Sequence, residues 1–124
     1  MRKKCVSADS FAHMAHRDLD VLDAAQRAAD GVIRLIDQPK RRLLHVHQMR
    51  DSVQSVGANI SEGFGRGTGR DRARPLEIAR GEAEETIRHL SANFRSKRID
   101  AREYWPLHNL LVVIVKMLNS LMYR

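Results

Sequence analysis

Six consecutive side chains between residues 110 and 115, Leu-Leu-Val-Val-Ile-Val, are apolar. They lie within a longer pattern: Leu107, Leu110 or Leu111, Ile114, Met117 or Leu118, and Leu121 recur every three or four residues. That spacing marks one face of an α-helix, and a helix greasy on all sides must be buried on more than one side. In a four-helix monomer this is hard to arrange. The pattern therefore predicts self-association through this helix, with Leu111, Val112, Val115 and Leu118 at the oligomer interface. Lys116 and Asn119 interrupt the run, which is expected to fall short of the ~20 residues a membrane span needs.

Three more stretches share the helical period. From Asp18 to Asp37 the stripe is Leu22, Ala25, Ala29, Val32 and Ile36, with Asp18 as candidate N-cap and Pro39 ending the element. From about Leu43 to Phe64 it is Val46, Met49, Val53, Val56 and Ile60. Gly57 lies inside this stretch at a cost of about 1 kcal/mol relative to alanine, which predicts close approach of a neighbouring backbone. The third stripe is Leu76, Ala79, Ala83, Ile87, Leu90 and Phe94. Its start is either near Gly69, where Thr68 and Asp71 resemble a capping box, or at Pro75 itself. Asp100 and Glu103 form a second capping-box pattern before the fourth helix. No sustained alternation and no hairpin turn signals a strand. The fold class expected is all-α, an antiparallel up-down four-helix bundle over residues 17–124, preceded by a disordered tail at 1–16.

Aromatic residues make up only 5% of the 124 residues, so the core must be aliphatic. Twenty-two Lys and Arg against fifteen Asp and Glu give a formal net charge of +7, which favours a polyanionic partner. The one cysteine, Cys5, makes no internal disulfide and fits a reducing cytoplasm. Behind the basic residues at the N-terminus no apolar segment reads as a secretory signal.

The segment SEGFGRGTGRDRARP, residues 61–75, superficially resembles a glycine-rich nucleotide loop. A dinucleotide loop needs a preceding strand, and a P-loop needs Gly-Lys-Ser/Thr; neither is present, so no cofactor is expected. A di-iron bundle needs Glu-x-x-His on two helices. No glutamate here has a histidine three residues on, and Glu85 and His89 are four apart. No metal centre and no catalytic constellation is expected. What remains is a basic connection. Arginine forks match phosphate oxygens and glycines allow close approach, so Arg66, Arg70, Arg72 and Arg74, with Arg41 and Arg42, are the candidate nucleic-acid-binding residues. The alternative is a protein-interaction scaffold whose charge serves an acidic protein partner.

Arg17-Asp18-Leu19-Asp20-Val21, Gln48-Met49-Arg50, Ala58-Asn59-Ile60-Ser61-Glu62-Gly63-Phe64-Gly65-Arg66 and Lys116-Met117-Leu118-Asn119-Ser120-Leu121 resemble the bacterial four-helix-bundle intervening-sequence protein family. Its members are encoded within insertions in large-subunit ribosomal RNA genes. The accessory variability protein of diversity-generating retroelements is similar in fold. The resemblance implies a bundle assembled as a barrel-like homopentamer, without enzymatic activity, and in the retroelement relative with basic surfaces that bind nucleic acid and a reverse transcriptase. By position, Asn59, Glu62, Gly63, Gly65 and Arg66 correspond to the family signature. Gly57 stands where the family usually has proline, and Pro75 where an aromatic residue is usual.

Overall fold

The structure, a computed structural model, describes residues 16–67 and 69–122. It contains four helices: α1 (His16–Ile36), α2 (Val46–Gly65), α3 (Arg70–Arg95) and α4 (Ala101–Met122). α1 packs on α2, α2 on α3, α3 on α4, and α4 back on α1. Short connections between sequential neighbours make this an up-down four-helix bundle, as the four stripes predict. Helices of 20 to 26 residues make it about 30–39 Å long at 1.5 Å per residue. The expected tail before His16 and the Thr68 capping box lie outside the described residues.

The core is aliphatic and continuous. Val21, Ala25, Ala28 and Val32 of α1 meet Met49, Val53, Val56 and Ile60 of α2. Leu76, Ala79, Ala83 and Leu90 of α3 and Leu111, Ile114, Leu118 and Leu121 of α4 close it. Polar contacts join the helices within and beside this packing. Ser52 and Thr86 share a hydrogen bond of 2.6 Å across the α2–α3 seam, and Arg80 donates to Asn119 Oδ1 at 2.7 Å between α3 and α4.

Several boundaries differ from the sequence expectation. α1 is already helical at His16, so Asp18 stands in its first turn and is not the N-cap. α2 starts at Val46 because His45 is left-handed (φ 58°) and breaks the helical path. α3 starts at Arg70 and carries Pro75 inside it, which settles the start near Gly69. Pro75 is the sixth residue of the helix, so it removes the one N–H that would bond the Asp71 carbonyl. By length and composition α4 is apolar enough to cross a membrane, which corrects the sequence expectation. In this fold its buried stripe packs on α1 and α3, as a bundle's core helix does.

Two helical glycines have opposite meanings. A Cβ on Gly63 would lie 2.9 Å from Leu76 Cδ2 and 3.3 Å from the Arg72 carbonyl, so glycine is what lets α2 and α3 approach there. A Cβ on Gly57 would meet only Ala25 Cβ at 3.9 Å, an ordinary contact, so the close backbone approach expected at Gly57 is absent. Gly63→Ala is expected to cost about 1–3 kcal/mol by overpacking the fully buried Leu76. Gly57→Ala is expected to add about 0.5–1 kcal/mol through helix propensity. Urea unfolding of the two variants beside the parent checks both signs.

Burial pushes the Glu82 carboxyl above its ordinary range, with smaller contributions from the charges of Glu85 and Asp51. The folded chain therefore holds this proton more tightly than the unfolded chain. Glu82 weakens the fold at neutral pH, and that penalty disappears as pH falls through its raised pKa. Glu82→Gln should accordingly stabilise the protein at neutral pH, with a gain that shrinks toward pH 4. Parallel thermal melts from pH 4 to 8 measure the difference; a gain that grows on acidification would contradict it.

Candidate nucleic-acid interface

An up-down bundle places its first and third connections at one end. Here those are residues 37–45 and 96–100, and the chain fastens them together. The buried amide of Asn93 accepts the Leu44 N–H at 2.7 Å and donates back to the Leu44 carbonyl at 3.1 Å, pinning the first connection to the end of α3. Arg41 donates to the Arg98 carbonyl at 2.9 Å and pairs with the Glu103 carboxylate. Arg98 returns the contact, donating to the Arg42 carbonyl at 2.7 Å. Glu103 also accepts the Asp100 N–H at 3.0 Å while Asp100 accepts the Glu103 N–H at 2.9 Å. This is the capping box the sequence predicts, with Arg41 docked onto it.

The result is a crowded basic end. Lys40, Arg42, Arg95, Lys97, Arg98 and Arg102 are exposed around the fastened loops. Arg41, Arg95, Lys97 and Arg98, with Phe94 and Ile99, line a shallow cavity of about 560 Å³. The acids in that cavity, Asp100 and Glu103, are occupied by the capping box and by Arg41.

Backbone geometry adds to the picture. α3 ends with the Lys97 N–H on the Phe94 carbonyl and the Arg98 N–H on the Asn93 carbonyl, the Schellman pattern, which puts Lys97 at the left-handed position that glycine usually fills. Among the described residues, the non-glycines with positive φ are Lys40, His45 and Lys97, all at this end. Glycine takes the corresponding positions at the opposite end, at Gly67 and Gly69. Retained strain of this kind clusters at functional surfaces.

The six arginines proposed from sequence do not form one patch. Arg41 and Arg42 lie at the basic end just described, whereas Arg66, Arg70, Arg72 and Arg74 lie at the other, about 30 Å away along α2. Nor is residues 61–75 a long loop: helix runs to Gly65 and resumes at Arg70. There Arg66 pairs with Glu62 at 2.8 Å, Arg72 lies 4.9 Å from the Phe64 ring centroid, and Arg74 approaches Glu77 at 3.9 Å. Much of that charge is engaged locally. Of the signature residues, Asn59 donates to the Ser55 carbonyl at 2.9 Å, Gly63 makes the close approach to α3, and Gly65 touches nothing that requires glycine.

The proposed oligomer interface also needs correction. Leu111 and Leu118 are fully buried in the core of a single chain, so neither faces a neighbour. Val112 and Val115 are half-buried flanks of that stripe. The large hydrophobic side chains α4 does expose are Trp105, at 46%, and Val113, at 43%. Sequence reasoning missed both, as it missed Lys40, Arg95, Lys97, Arg98 and Arg102. The four-helix topology held the signal for the cations, since it dictates which connections meet. Among the described residues no three His, Cys, Asp or Glu side chains are grouped to hold a metal ion. His45 and His47 are both exposed, His45 lying outside the helix where its ring is 5.0 Å from that of His89.

The model of the 23S rRNA-intervening sequence protein family matches residues 17–120. A crystal structure of a protein with unknown function from the S23 ribosomal protein family of Bacteroides thetaiotaomicron VPI-5482 superposes with a TM-score of 0.78. The two chains are 27% identical, and the match covers 84% of this chain and 99% of that one. No curated protein matches the sequence. Because that family model spans well over half of the sequence, this chain belongs to the 23S rRNA-intervening sequence protein family.

Proposed function

We propose that this protein is a non-enzymatic nucleic-acid-binding bundle that grips phosphates with the end built from its first and third connections. The observation that carries this reading is the mutual fastening of two basic loops through Arg41 and Arg98. Cations brought so close repel one another, and a polyanion relieves that repulsion while releasing its own counterions. Guanidinium and ammonium groups arranged this way contact backbone rather than base edges, so binding has little sequence preference.

Copies associate in this proposal through the exposed side of α4 around Val113, flanked by Val112 and Val115. The ring of five that the family resemblance implies would repeat the basic end about one axis. Weak phosphate sites would then act together, and avidity would exceed any single contact by orders of magnitude.

The test removes equal charge from the two ends. Lys40→Gln/Arg42→Gln/Arg102→Gln, which leaves the loop-fastening Arg41 and Arg98 in place, should lose most of the affinity for RNA or DNA. It should also lower the slope of log affinity against log salt by about 2–3. Arg66→Gln/Arg70→Gln/Arg74→Gln should lose clearly less. Lys97→Gly should raise stability by about 1 kcal/mol by relieving the left-handed strain, yet weaken binding. Fluorescence anisotropy at several salt concentrations reads the affinities; equal losses at the two ends would refute the assignment. For the assembly, light scattering should show the parent above monomer mass and Val113→Asp shifted toward monomer.

A further inference from the structure

Beside the cationic loops stands an aromatic cluster that phosphate binding leaves unexplained. Phe94 and Tyr104 stack face to face at 4.3 Å and 6°. Trp105 meets Phe94 at 5.9 Å, Tyr104 at 4.8 Å and His108 at 5.1 Å, with interplanar angles of 72°, 69° and 76°. These rings fix the indole in place, yet none of them lies parallel to it. Nearly half of its surface is open. Phe94 is also a wall of the basic cavity, so a single ring stands between that cavity and the indole. Arg102, three residues before Trp105 on α4, shares its face of the helix.

From this juxtaposition we infer that the basic end takes single-stranded nucleic acid, with one unpaired base stacked on Trp105 and the flanking phosphates on Arg95, Lys97 and Arg102. The inference rests on the phosphate-gripping role proposed above and narrows it to a substrate class. A cationic groove alone does not distinguish one strand from two, because both present phosphates. A rigid aromatic platform does: a base inside a duplex is already covered on both faces, whereas an unpaired base has a face to offer. Stacking of this kind tolerates any base, because every base has an aromatic face. Of the two carboxylates lining the cavity, Glu103 is paired with Arg41 and Asp100 accepts the Glu103 N–H as the cap of α4.

Trp105 is the sole tryptophan of the chain, so emission excited selectively at tryptophan, beyond tyrosine absorption, reports on this side chain alone. The experiment titrates the full-length protein with a homopolymeric single strand of about ten nucleotides. A duplex of equal length is titrated at the same salt. The single strand should quench the emission and bind about tenfold or more tightly than the duplex. Trp105→Ala should lose about ten- to a hundredfold of single-strand affinity with duplex affinity unchanged, and Trp105→Phe should fall between. Circular dichroism melts confirm that both variants remain folded. Equal affinity for the two forms without quenching, or an alanine variant that binds as the parent does, overturns the stacking inference and leaves the phosphate-gripping role standing. Failure of the parent to bind either form overturns both. Emission that changes on dilution without nucleic acid would mean that a second copy covers the indole, and would also overturn the inference.

Discussion

Helices of nearly equal length that reverse direction at each short connection leave no choice about which loops meet. The first and third connections share one end of the bundle, and the second lies at the other. The crowding of cations at the basic end follows from that constraint. It brings Lys40, Arg41 and Arg42 against Arg95, Lys97 and Arg98 although more than fifty residues separate them in the chain. The aliphatic core enforces it: the buried stripes of the four helices are satisfied together only when each helix packs on both neighbours.

Crowding cations in this way is unfavourable, and the structure shows how it is tolerated. Arg41 turns its charge onto Glu103, whose carboxylate also closes the capping box of α4. Arg98 and Arg41 each direct a guanidinium N–H at a carbonyl of the opposite loop, so two of the positive groups serve as the fasteners. Asn93 supplies a neutral clasp from within α3 by pairing with both backbone groups of Leu44. Of the remaining cations, Arg95 donates to Ser91 Oγ of its own helix at 3.1 Å and does not fasten the loops. Two lysines stand in left-handed backbone conformations where glycine would be easier, at a cost of about 1 kcal/mol each. A structure optimised for stability alone would not carry lysine at both positions.

The fold was legible because it is written in periodicity. Met49, Val53, Val56 and Ile60, or Leu76, Ala79, Ala83 and Leu90, occupy the buried face that their spacing announces. The Asp100–Glu103 capping box was equally legible, being a local pattern with a local cause. The interface was not, for two different reasons. Arg41 and Arg42 were grouped with Arg66 to Arg74 by composition, although an alternating bundle sends the two groups to opposite ends. Leu111 and Leu118 were assigned to an oligomer interface, though they are also candidates for the inward stripe, because a run of apolar residues hides which of them point inward. Only packing resolves that, and it leaves Val113 and Trp105 outside. Gly63 and Gly57 illustrate the same limit: identical in sequence character, they differ by whether Leu76 or merely Ala25 lies opposite.

The two exposed apolar groups of α4 can serve two ends at once. Eight residues along a helix separate Trp105 from Val113, about 12 Å. An interface centred on Val113 and its flanking valines therefore sits toward the middle of the bundle, while the indole stays with the cationic loops at its tip. Association along α4 would not compete with a strand lying across the basic end. It would instead set several such ends side by side at fixed spacing, where a polyanion long enough to reach two of them meets the second at high effective concentration. On the proposed arrangement the greasy helix and the charged loops would be parts of one device: the first would concentrate copies, and the second would give each copy one weak grip.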